Sequence, residues 1–234
     1  MKDPSYFIQM STLQQPRVQE LLERLFAEAS VADAPLREKI ASSTPEERTA
    51  LMAQVTNEPH VFYQGLAKTM FLPVSRETGR LLYMLVRATK AKGIVEFGTS
   101  FGISTIHLTA AVKDNGGGRV IGSEYEAAKA ARARQHLEAA GLSDFVEVRD
   151  GDATESLSRD LPERVDLLLL DGAKSLYPRI LDLVEPKLAN GALVLADNAD
   201  HNPEFLARIR DPKNGYLSVP FAEDVELFMR LANA

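Results

Sequence analysis

Cysteine is absent from the 234 residues of this chain. Its absence excludes disulfide bonds, zinc sites built on thiolates, and cysteine nucleophiles. Long hydrophobic runs are also missing, since no apolar stretch approaches the roughly 18 residues that a helix needs to cross a bilayer. The first residues lack the basic and then apolar pattern of a secretory signal. We therefore predict a cytoplasmic protein with no membrane partner.

Positive charge is in the minority, with 27 lysines and arginines against 33 aspartates and glutamates and a net charge of −6. Because nucleic-acid binders are usually basic, we expect a small molecule as the partner and not a nucleic acid. The hydrophobic content of 45% suits one globular domain. We predict an N-terminal helical extension over residues 1–70, acting as a cover or a dimer contact, and a main domain over residues 71–234.

The most informative stretch covers residues 94–104. A short apolar run that contains Glu96 is followed by Gly98 and Gly102 and then by a helical pattern, which predicts a strand, a tight turn and a helix. Glycine lets the backbone approach a ligand closely, and the following helix points free N–H groups at the turn. Glu124 ends the next apolar segment, roughly where nucleotide-binding α/β domains hold a ribose.

The segments after this stretch alternate between apolar strands and helical patterns. Such alternation is typical of an α/β domain with a parallel sheet. We predict strands near residues 94–97, 119–123, 144–148, 165–170 and 191–196, and helices near residues 102–114, 125–140, 153–159 and 175–189. Residues 225–231 alternate with period two, which predicts an antiparallel strand. Residues 202–214 are predicted to be a mobile loop.

The N-terminal third carries fewer chemical signals. Apolar residues at helical spacing predict a helix over residues 17–29, and Thr44 and Ser75 read as caps of two further helices. The aromatic-rich residues 57–73 have two interpretations. They either line a substrate pocket or pack the extension onto the main domain.

Acidic residues end the fourth and fifth predicted strands. Asp171 follows one strand, and Asp197 with Asn198 follows the other. Ligands of open α/β sheets bind at the carboxyl ends of the strands, so these side chains should face the same crevice as the glycine turn. Two carboxylates and an amide oxygen suit Mg²⁺, Mn²⁺ or Ca²⁺, of which we expect Mg²⁺. Helix capping by either aspartate is the alternative interpretation.

Residues 74–198 resemble the class I methyltransferases that use S-adenosylmethionine, and within them the metal-dependent catechol and caffeoyl-CoA O-methyltransferases. The matching residues are Glu96-Phe97-Gly98-Thr99-Ser100-Phe101-Gly102-Ile103-Ser104, Glu124, Gly151-Asp152-Ala153, Asp171 with Lys174, and Asp197-Asn198. The resemblance implies one Rossmann-like α/β domain with a mostly parallel, seven-stranded sheet and an antiparallel C-terminal strand. Separately from the resemblance, we expect a homodimer.

The resemblance further implies a role for each matching residue. Contacts with S-adenosylmethionine are assigned to Val74, Glu96, Gly98, Thr99, Ser104, Glu124, Asp152, Ala153 and Asp171. The metal ligands would be Asp171, Asp197 and Asn198. Catalysis is assigned to Asp171 and Lys174, with Lys174 as the general base. The alternative for Lys174 is an ordinary solvated lysine.

The implied chemistry explains why these groups belong together. Methyl transfer from a sulfonium needs an oxygen nucleophile that is deprotonated and in line with the methyl carbon. A phenol with an ordinary pKa of about 10 is mostly neutral at pH 7. A divalent ion lowers the pKa of a bound phenol, and a nearby lysine can take the proton. We therefore predict O-methylation of a small phenolic, catechol-like acceptor.

Three alternatives stay open. An enzyme of the same fold can act without a metal, or on a nitrogen or a tRNA base. A nicotinamide-dependent oxidoreductase is less consistent with the turn, because such turns usually carry a third glycine where this chain has Ile103 and Ser104. A non-catalytic nucleotide-binding protein would bind the cofactor without turnover.

Overall fold

A computed structural model describes residues 10–57, 59–221 and 225–231. Within these residues, seven strands form one sheet in the order β3-β2-β1-β4-β5-β7-β6. The strands are β1 (Gly93–Phe97), β2 (Arg119–Glu124), β3 (Val146–Asp150), β4 (Val165–Leu170), β5 (Leu188–Asp197), β6 (Tyr216–Phe221) and β7 (Val225–Arg230). Strands β1 to β5 pair in parallel, and β7 is antiparallel to both β5 and β6. The predicted fold class is confirmed.

Ten α-helices surround this sheet in the described part of the chain. They are α1 (Pro16–Ala32), α2 (Ala34–Ser42), α3 (Pro45–Asn57), α4 (Pro59–Gln64), α5 (Arg76–Thr89), α6 (Ile103–Asp114), α7 (Ala127–Ala139), α8 (Ala153–Ser156), α9 (Tyr177–Val184) and α10 (Pro203–Arg210). The helices of the described ranges are all too short or too polar to span a membrane.

Strand β4 shows why the centre of the sheet is apolar throughout. Leu168 and Leu170 pack with helix α9 on one face, whereas Leu167 and Leu169 pack with α5 and α6 on the other. All four side chains are buried. Because helices cover both faces, the strand reads as a continuous hydrophobic run instead of an alternating one.

The predicted helix starts in the N-terminal third are confirmed by their capping contacts. The Ser75 hydroxyl accepts a hydrogen bond from the Thr78 amide at 3.0 Å. At the start of α3, the Thr44 hydroxyl accepts from the Glu47 amide at 3.2 Å, and the Glu47 carboxylate accepts from the Thr44 amide at 2.8 Å. This reciprocal pair is a capping box.

Helix α1 packs on the main domain through one apolar stripe. Leu21 and Leu25 of α1 lie in the same buried cluster as Ile106 of α6 and Leu137 of α7. The extension therefore contacts the helical layer beside β2 and β3. The division at residue 70 stays a prediction.

The prediction of a mobile loop over residues 202–214 is wrong, because α10 fills most of it. The Asn202 side chain accepts a hydrogen bond from the Phe205 amide at 3.0 Å, and Pro203 occupies the first turn. Phe205 and Ile209, four residues apart, are both buried. A cap, a proline at the start and an apolar pair are helix signals that the prolines obscured.

Element boundaries also differ from the predictions, and one strand was missed. The predicted helix over 175–189 divides into α9 and a 3₁₀ turn, so that β5 begins at Leu188. Strand β3 begins at Val146, after a 3₁₀ turn. Strand β6 had no predicted counterpart. It contains Pro220, which is tolerated because β6 lies at the edge of the sheet.

Candidate active site

The glycine turn joins β1 to α6 and is clamped between neighbouring strands. Gly98 has φ +103°, and a Cβ at this position would lie 2.4 Å from the carbonyl oxygen of Asp171. Only glycine fits such an approach. The amides of Gly98 and Thr99 both donate to the carbonyl oxygen of Ser123, at 3.1 and 3.0 Å. The turn is therefore fixed by the ends of β2 and β4.

Glu96 lies beneath the turn and is fully buried. Its carboxylate accepts hydrogen bonds from three hydroxyl groups, those of Thr99 at 2.8 Å, Ser104 at 2.7 Å and Thr105 at 2.5 Å. Burial raises the pKa of Glu96, and the three hydrogen bonds oppose that rise. A Cβ on Gly122 would lie 2.4 Å from the Thr99 hydroxyl oxygen, so glycine there leaves room for this network.

The structure thus places Glu96 as the link between the turn and helix α6. Sequence reasoning assigned it to the cofactor, and that contact stays a prediction. Thr105, which supplies one of its three donors, was not predicted as a site residue. No feature of the sequence indicates a role in the site for Thr105, which directly follows Ser104.

A narrow crevice opens at the turn. It lies between residues 71–74 on one side and the turn with the start of α6 on the other. Five of the residues predicted to bind the cofactor line it together, namely Val74, Gly98, Thr99, Ser104 and Asp171. A larger cleft, on the outer side of residues 72–76, lies against α1 and α2 and contains, of the predicted site residues, only Val74.

Glu124 ends β2 at the rim of the same turn. One carboxylate oxygen accepts from the Ser100 amide at 2.7 Å, and the other accepts from the Glu126 amide at 2.9 Å. Burial raises the pKa of Glu124, and these hydrogen bonds and the positive charge of Lys129 oppose the rise. The predicted ribose acid is therefore held against the turn by backbone groups.

Asp152 and Ala153 lie at the end of the next strand. The Asp152 carboxylate accepts from the Thr154 amide at 2.7 Å and so caps the short helix α8. Ala153 is buried in the core cluster on the α9 face of the sheet. Their predicted contact with adenine stays a prediction.

The acidic strand ends form a second cluster beside the crevice. The Lys174 nitrogen lies 3.4 Å from an oxygen of Asp171 and 3.6 Å from an oxygen of Asp197. The Lys174 side chain is only 13% exposed. Burial and the neighbouring Asp197 charge raise the pKa of Asp171 well above its ordinary value, and Lys174 opposes that rise. The structure brings together three of the four side chains predicted here, namely Asp171, Lys174 and Asp197.

Tyr177 connects the two strands that carry this cluster. Its hydroxyl lies 2.7 Å from the carbonyl oxygen of Leu170 and 2.8 Å from that of Asp197. Asn202 donates to the carbonyl oxygen of Lys174 at 2.9 Å. Tyr177 was not predicted as a site residue, because nothing in a Tyr-Pro pair after a lysine indicates where the hydroxyl points.

Helix α4 lies over the rim that joins the two parts of the site. Tyr63 on this helix is half-buried, and burial with the negative charges of Asp171, Glu124 and Asp197 raises its pKa. The neighbouring Gln64 side chain donates to the Tyr125 hydroxyl at 3.0 Å. The aromatic-rich segment therefore contributes a phenol near the carboxylates.

The oxygen donors at this rim suit a divalent ion. The Asp171 and Asp197 carboxylates approach the same cationic nitrogen, so both can approach one cation. In the described ranges, no three His, Asp or Glu side chains form a ligand group. The third protein oxygen would then come from Asn198, which follows Asp197 in a left-handed conformation with φ +47°. A hard, oxygen-only set of this kind fits Mg²⁺.

Known proteins share this arrangement of sequence and fold. Residues 95–199 match a family described as a methyltransferase domain. A catechol O-methyltransferase of Niastella koreensis is 33% identical over 138 residues, and one of Mycobacterium tuberculosis is 31% identical over 140 residues. By these matches, the chain is similar to O-methyltransferases.

The two alignments cover 58% and 60% of this chain, which spans only 62% and 63% of the length of those relatives. A solved O-methyltransferase of Bacillus cereus in complex with SAH extends the likeness. It superposes with a TM-score of 0.60 at 25% identity, and the match covers 78% of this chain and 97% of the other chain. The family match over residues 95–199 includes the whole region from the glycine turn to Asp197.

Proposed function

We propose that this methyltransferase moves the methyl group of S-adenosylmethionine to a hydroxyl of a small phenolic, catechol-like acceptor. The observation that carries the proposal is the crevice at the glycine turn beside the cluster of Asp171, Lys174 and Asp197. The SAH in the Bacillus cereus enzyme supports the cofactor. The names of the two catechol O-methyltransferase relatives support the acceptor class.

The cofactor would bind with its methionine end in the crevice. Val74, Thr99 and Ser104 line that space, and glycine at position 98 lets the backbone approach the ligand. Glu124 lies at the rim, where its carboxylate would accept hydrogen bonds from the ribose hydroxyls. Asp171 lines the crevice and also contacts Lys174, so it would orient the cofactor and the catalytic lysine together.

The acceptor would bind against Lys174. A lone pair of the acceptor oxygen forms the new bond to the methyl carbon, while the carbon–sulfur bond breaks and its electron pair returns to sulfur. Neutral Lys174 takes the proton of the hydroxyl. Holding the two reactants in line supplies much of the rate in such a displacement, and general-base catalysis contributes about 10²- to 10⁴-fold.

We propose that Asp171, Asp197 and Asn198 hold a divalent ion, with Mg²⁺ as the first choice. When bound, the ion supplies Lewis-acid chemistry that lowers the pKa of an acceptor hydroxyl. A specific observation supports a second candidate, an enzyme of the same fold without a metal. The Lys174 nitrogen already lies 3.4 Å from Asp171 and 3.6 Å from Asp197, in the space between the two carboxylates that an ion would occupy.

Calorimetric titration and a methylation assay test these proposals. Purified protein should bind SAH and not NAD, and it should methylate catechol in the presence of S-adenosylmethionine and Mg²⁺. A chelator should abolish turnover, and added Mg²⁺ should restore it. Full turnover in chelator would establish the metal-free candidate. Binding of SAH without methylation of catechol or of other phenols would contradict the proposed acceptor.

We also propose a homodimer that covers an exposed apolar face of β6 and β7. Leu217 and Val219 of the edge strand are 64% and 53% exposed, and Leu217 lies opposite the exposed Met229. An exposed apolar patch is a surface that proteins usually cover, and the same face of a second copy can pack on it about a two-fold axis. The cytoplasmic location stays a prediction.

Light scattering tests the dimer. The wild type should have twice the mass of the chain at micromolar concentration, and a Leu217→Glu, Val219→Glu variant should be monomeric. Ala131→Glu is the control, because Ala131 is exposed on helix α7, which packs at the opposite end of the sheet from β6 and outside the N-terminal extension. A monomeric wild type would contradict the proposal.

A further inference from the structure

Asp33 connects the N-terminal helices to the wall of the crevice. It lies at the junction of α1 and α2 and is only 5% exposed. One carboxylate oxygen accepts from the Phe71 amide at 2.8 Å, and the other accepts from the Leu72 amide at 3.0 Å. Hydrogen bonds to a charged acceptor are roughly twice as strong as those between neutral groups. A side chain of the extension thus holds the main chain of residues 71–72.

Residues 71–72 need such support because their conformation is strained and their outer side is open. Leu72 has φ +45°, a left-handed conformation that non-glycine residues rarely adopt. Leu72, Pro73 and Val74 form one side of the crevice and also border the outer cleft of about 460 Å³. Leu72 packs in part against the cluster that contains Leu36 and Met70, but the cleft leaves part of the wall without packing. The two hydrogen bonds that the Asp33 carboxylate accepts stabilise the wall where packing is lacking.

The same wall is connected to the glycine turn and to the ribose acid. The Ser100 hydroxyl donates to the carbonyl oxygen of Phe71 at 2.7 Å, and the Ser100 amide donates to Glu124 at 2.7 Å. The Phe71 ring also stacks on Phe101, with 4.0 Å between the ring centroids. Hydrogen bonds therefore lead from Asp33 through Phe71 and Ser100 to Glu124.

We propose that Asp33 is a positioning residue for the methyl donor. It fixes the crevice wall at residues 71–72 and, through Ser100, the orientation of Glu124. This inference rests on the proposed function, since it assumes that the crevice holds S-adenosylmethionine. The extension then contributes to cofactor binding without a residue that contacts the cofactor.

The test is a cycle of Asp33→Asn, Ser100→Ala and the double variant, each titrated with SAH in a calorimeter. Asp33→Asn keeps the shape of the side chain and removes one acceptor oxygen. We expect each single variant to weaken SAH binding about tenfold, which corresponds to about 1.4 kcal/mol. The double variant should lose clearly less affinity for SAH than the product of the two single losses, because both changes interrupt one chain of contacts.

Glu23→Gln is the matched control. Glu23 is a carboxylate of the same helix α1, but it is exposed and pairs with Arg76. Its replacement should leave SAH binding unchanged. Far-ultraviolet circular dichroism before each titration confirms that the variants are folded, and Ser100→Ala tests the path from its other end if Asp33→Asn is unstable.

The possible outcomes separate the two proposals. A wild type that does not bind SAH overturns the proposed function. If the wild type binds SAH, two results would overturn only the role of Asp33. In one, the single variants bind SAH as tightly as the wild type. In the other, the loss of affinity in the double variant equals the product of the two single losses. Amide hydrogen exchange of the free protein adds a readout without cofactor, since Asp33→Asn should speed exchange at the distant Ser100 amide.

Discussion

Lys174 is the residue whose replacement separates proton transfer from cofactor binding. Its nitrogen lies close to Asp171 and Asp197, and Lys174 is not among the residues that line the crevice at the glycine turn. We expect Lys174→Met to lower kcat for catechol methylation about 10²-fold or more, the usual contribution of a general base, and to leave the Kd for SAH unchanged. Lys187→Met, at an exposed lysine, is the control. An equal loss of SAH binding would show that Lys174 holds the cofactor.

Thr105 and Thr109 give a matched pair within helix α6. Both are fully buried, but the Thr105 hydroxyl donates to Glu96, whereas the Thr109 hydroxyl has no hydrogen-bond partner among the described residues. Thr105→Val should lower the free energy of unfolding in urea by about 1.5–3 kcal/mol, because it removes a hydrogen bond to a charged group. Thr109→Val should be neutral or stabilising. Equal effects would contradict the assigned network.

Sequence reasoning at the residue scale found the carboxylates and the glycines but not the groups that hold them. Glu96, Glu124 and Asp171 follow from acidic residues at the ends of apolar runs. Ser100 and Asp33 do not, because their contacts join residues 29 and 38 positions apart in the chain. The sequence around a serine or an aspartate does not indicate which backbone group its side chain will hydrogen-bond.

Tyr177 acts between elements, since its hydroxyl joins the ends of β4 and β5. Tyr177→Phe should lower stability by about 1 kcal/mol, as the loss of a buried hydrogen bond does, and should also lower kcat by loosening the geometry of Asp171 and Asp197. Tyr216→Phe is the control, because that buried hydroxyl donates to Glu185, away from the site. It should change the unfolding midpoint and leave kcat unchanged. A normal kcat in Tyr177→Phe would contradict the role.

Strands and helices with a strong hydrophobic periodicity were predicted correctly. Those whose formation depends on packing against neighbouring elements were missed. Strand β4 was correct to the residue, because burial on both faces leaves an apolar run in the sequence. Helix α10 was missed because Pro203 and Pro212 suggested a loop. Strand β6 was missed because its outer face is apolar instead of polar at Leu217 and Val219, so its pattern does not show which face is buried.

Two buried histidines should give the whole molecule a measurable dependence on pH. Burial lowers the pKa of His107 and of His136. Below about pH 6.5 both histidines become protonated in the unfolded chain, whereas burial disfavours their protonation in the folded protein. Their contribution to the free energy of unfolding therefore falls as pH decreases.

The double variant His107→Gln, His136→Gln measures this contribution, because all other titrating groups remain. The stability difference between wild type and double variant should shrink between pH 7 and pH 5 in urea unfolding. His201→Gln, at an exposed histidine, is the control and should run parallel to the wild type. A difference that stays constant with pH would contradict the expected shift.

For the molecule as a whole, local patterns in the sequence are enough to predict the α/β class, the glycine turn and the acidic ends of the strands. These features depend on local periodicity and on backbone conformations that only certain residues adopt. Tertiary structure alone decided that Lys174 lies between Asp171 and Asp197, that Thr105 serves Glu96, and that Asp33 supports the crevice wall. Each of these contacts joins elements whose approach is set by packing, and packing is not encoded in any single segment of the chain.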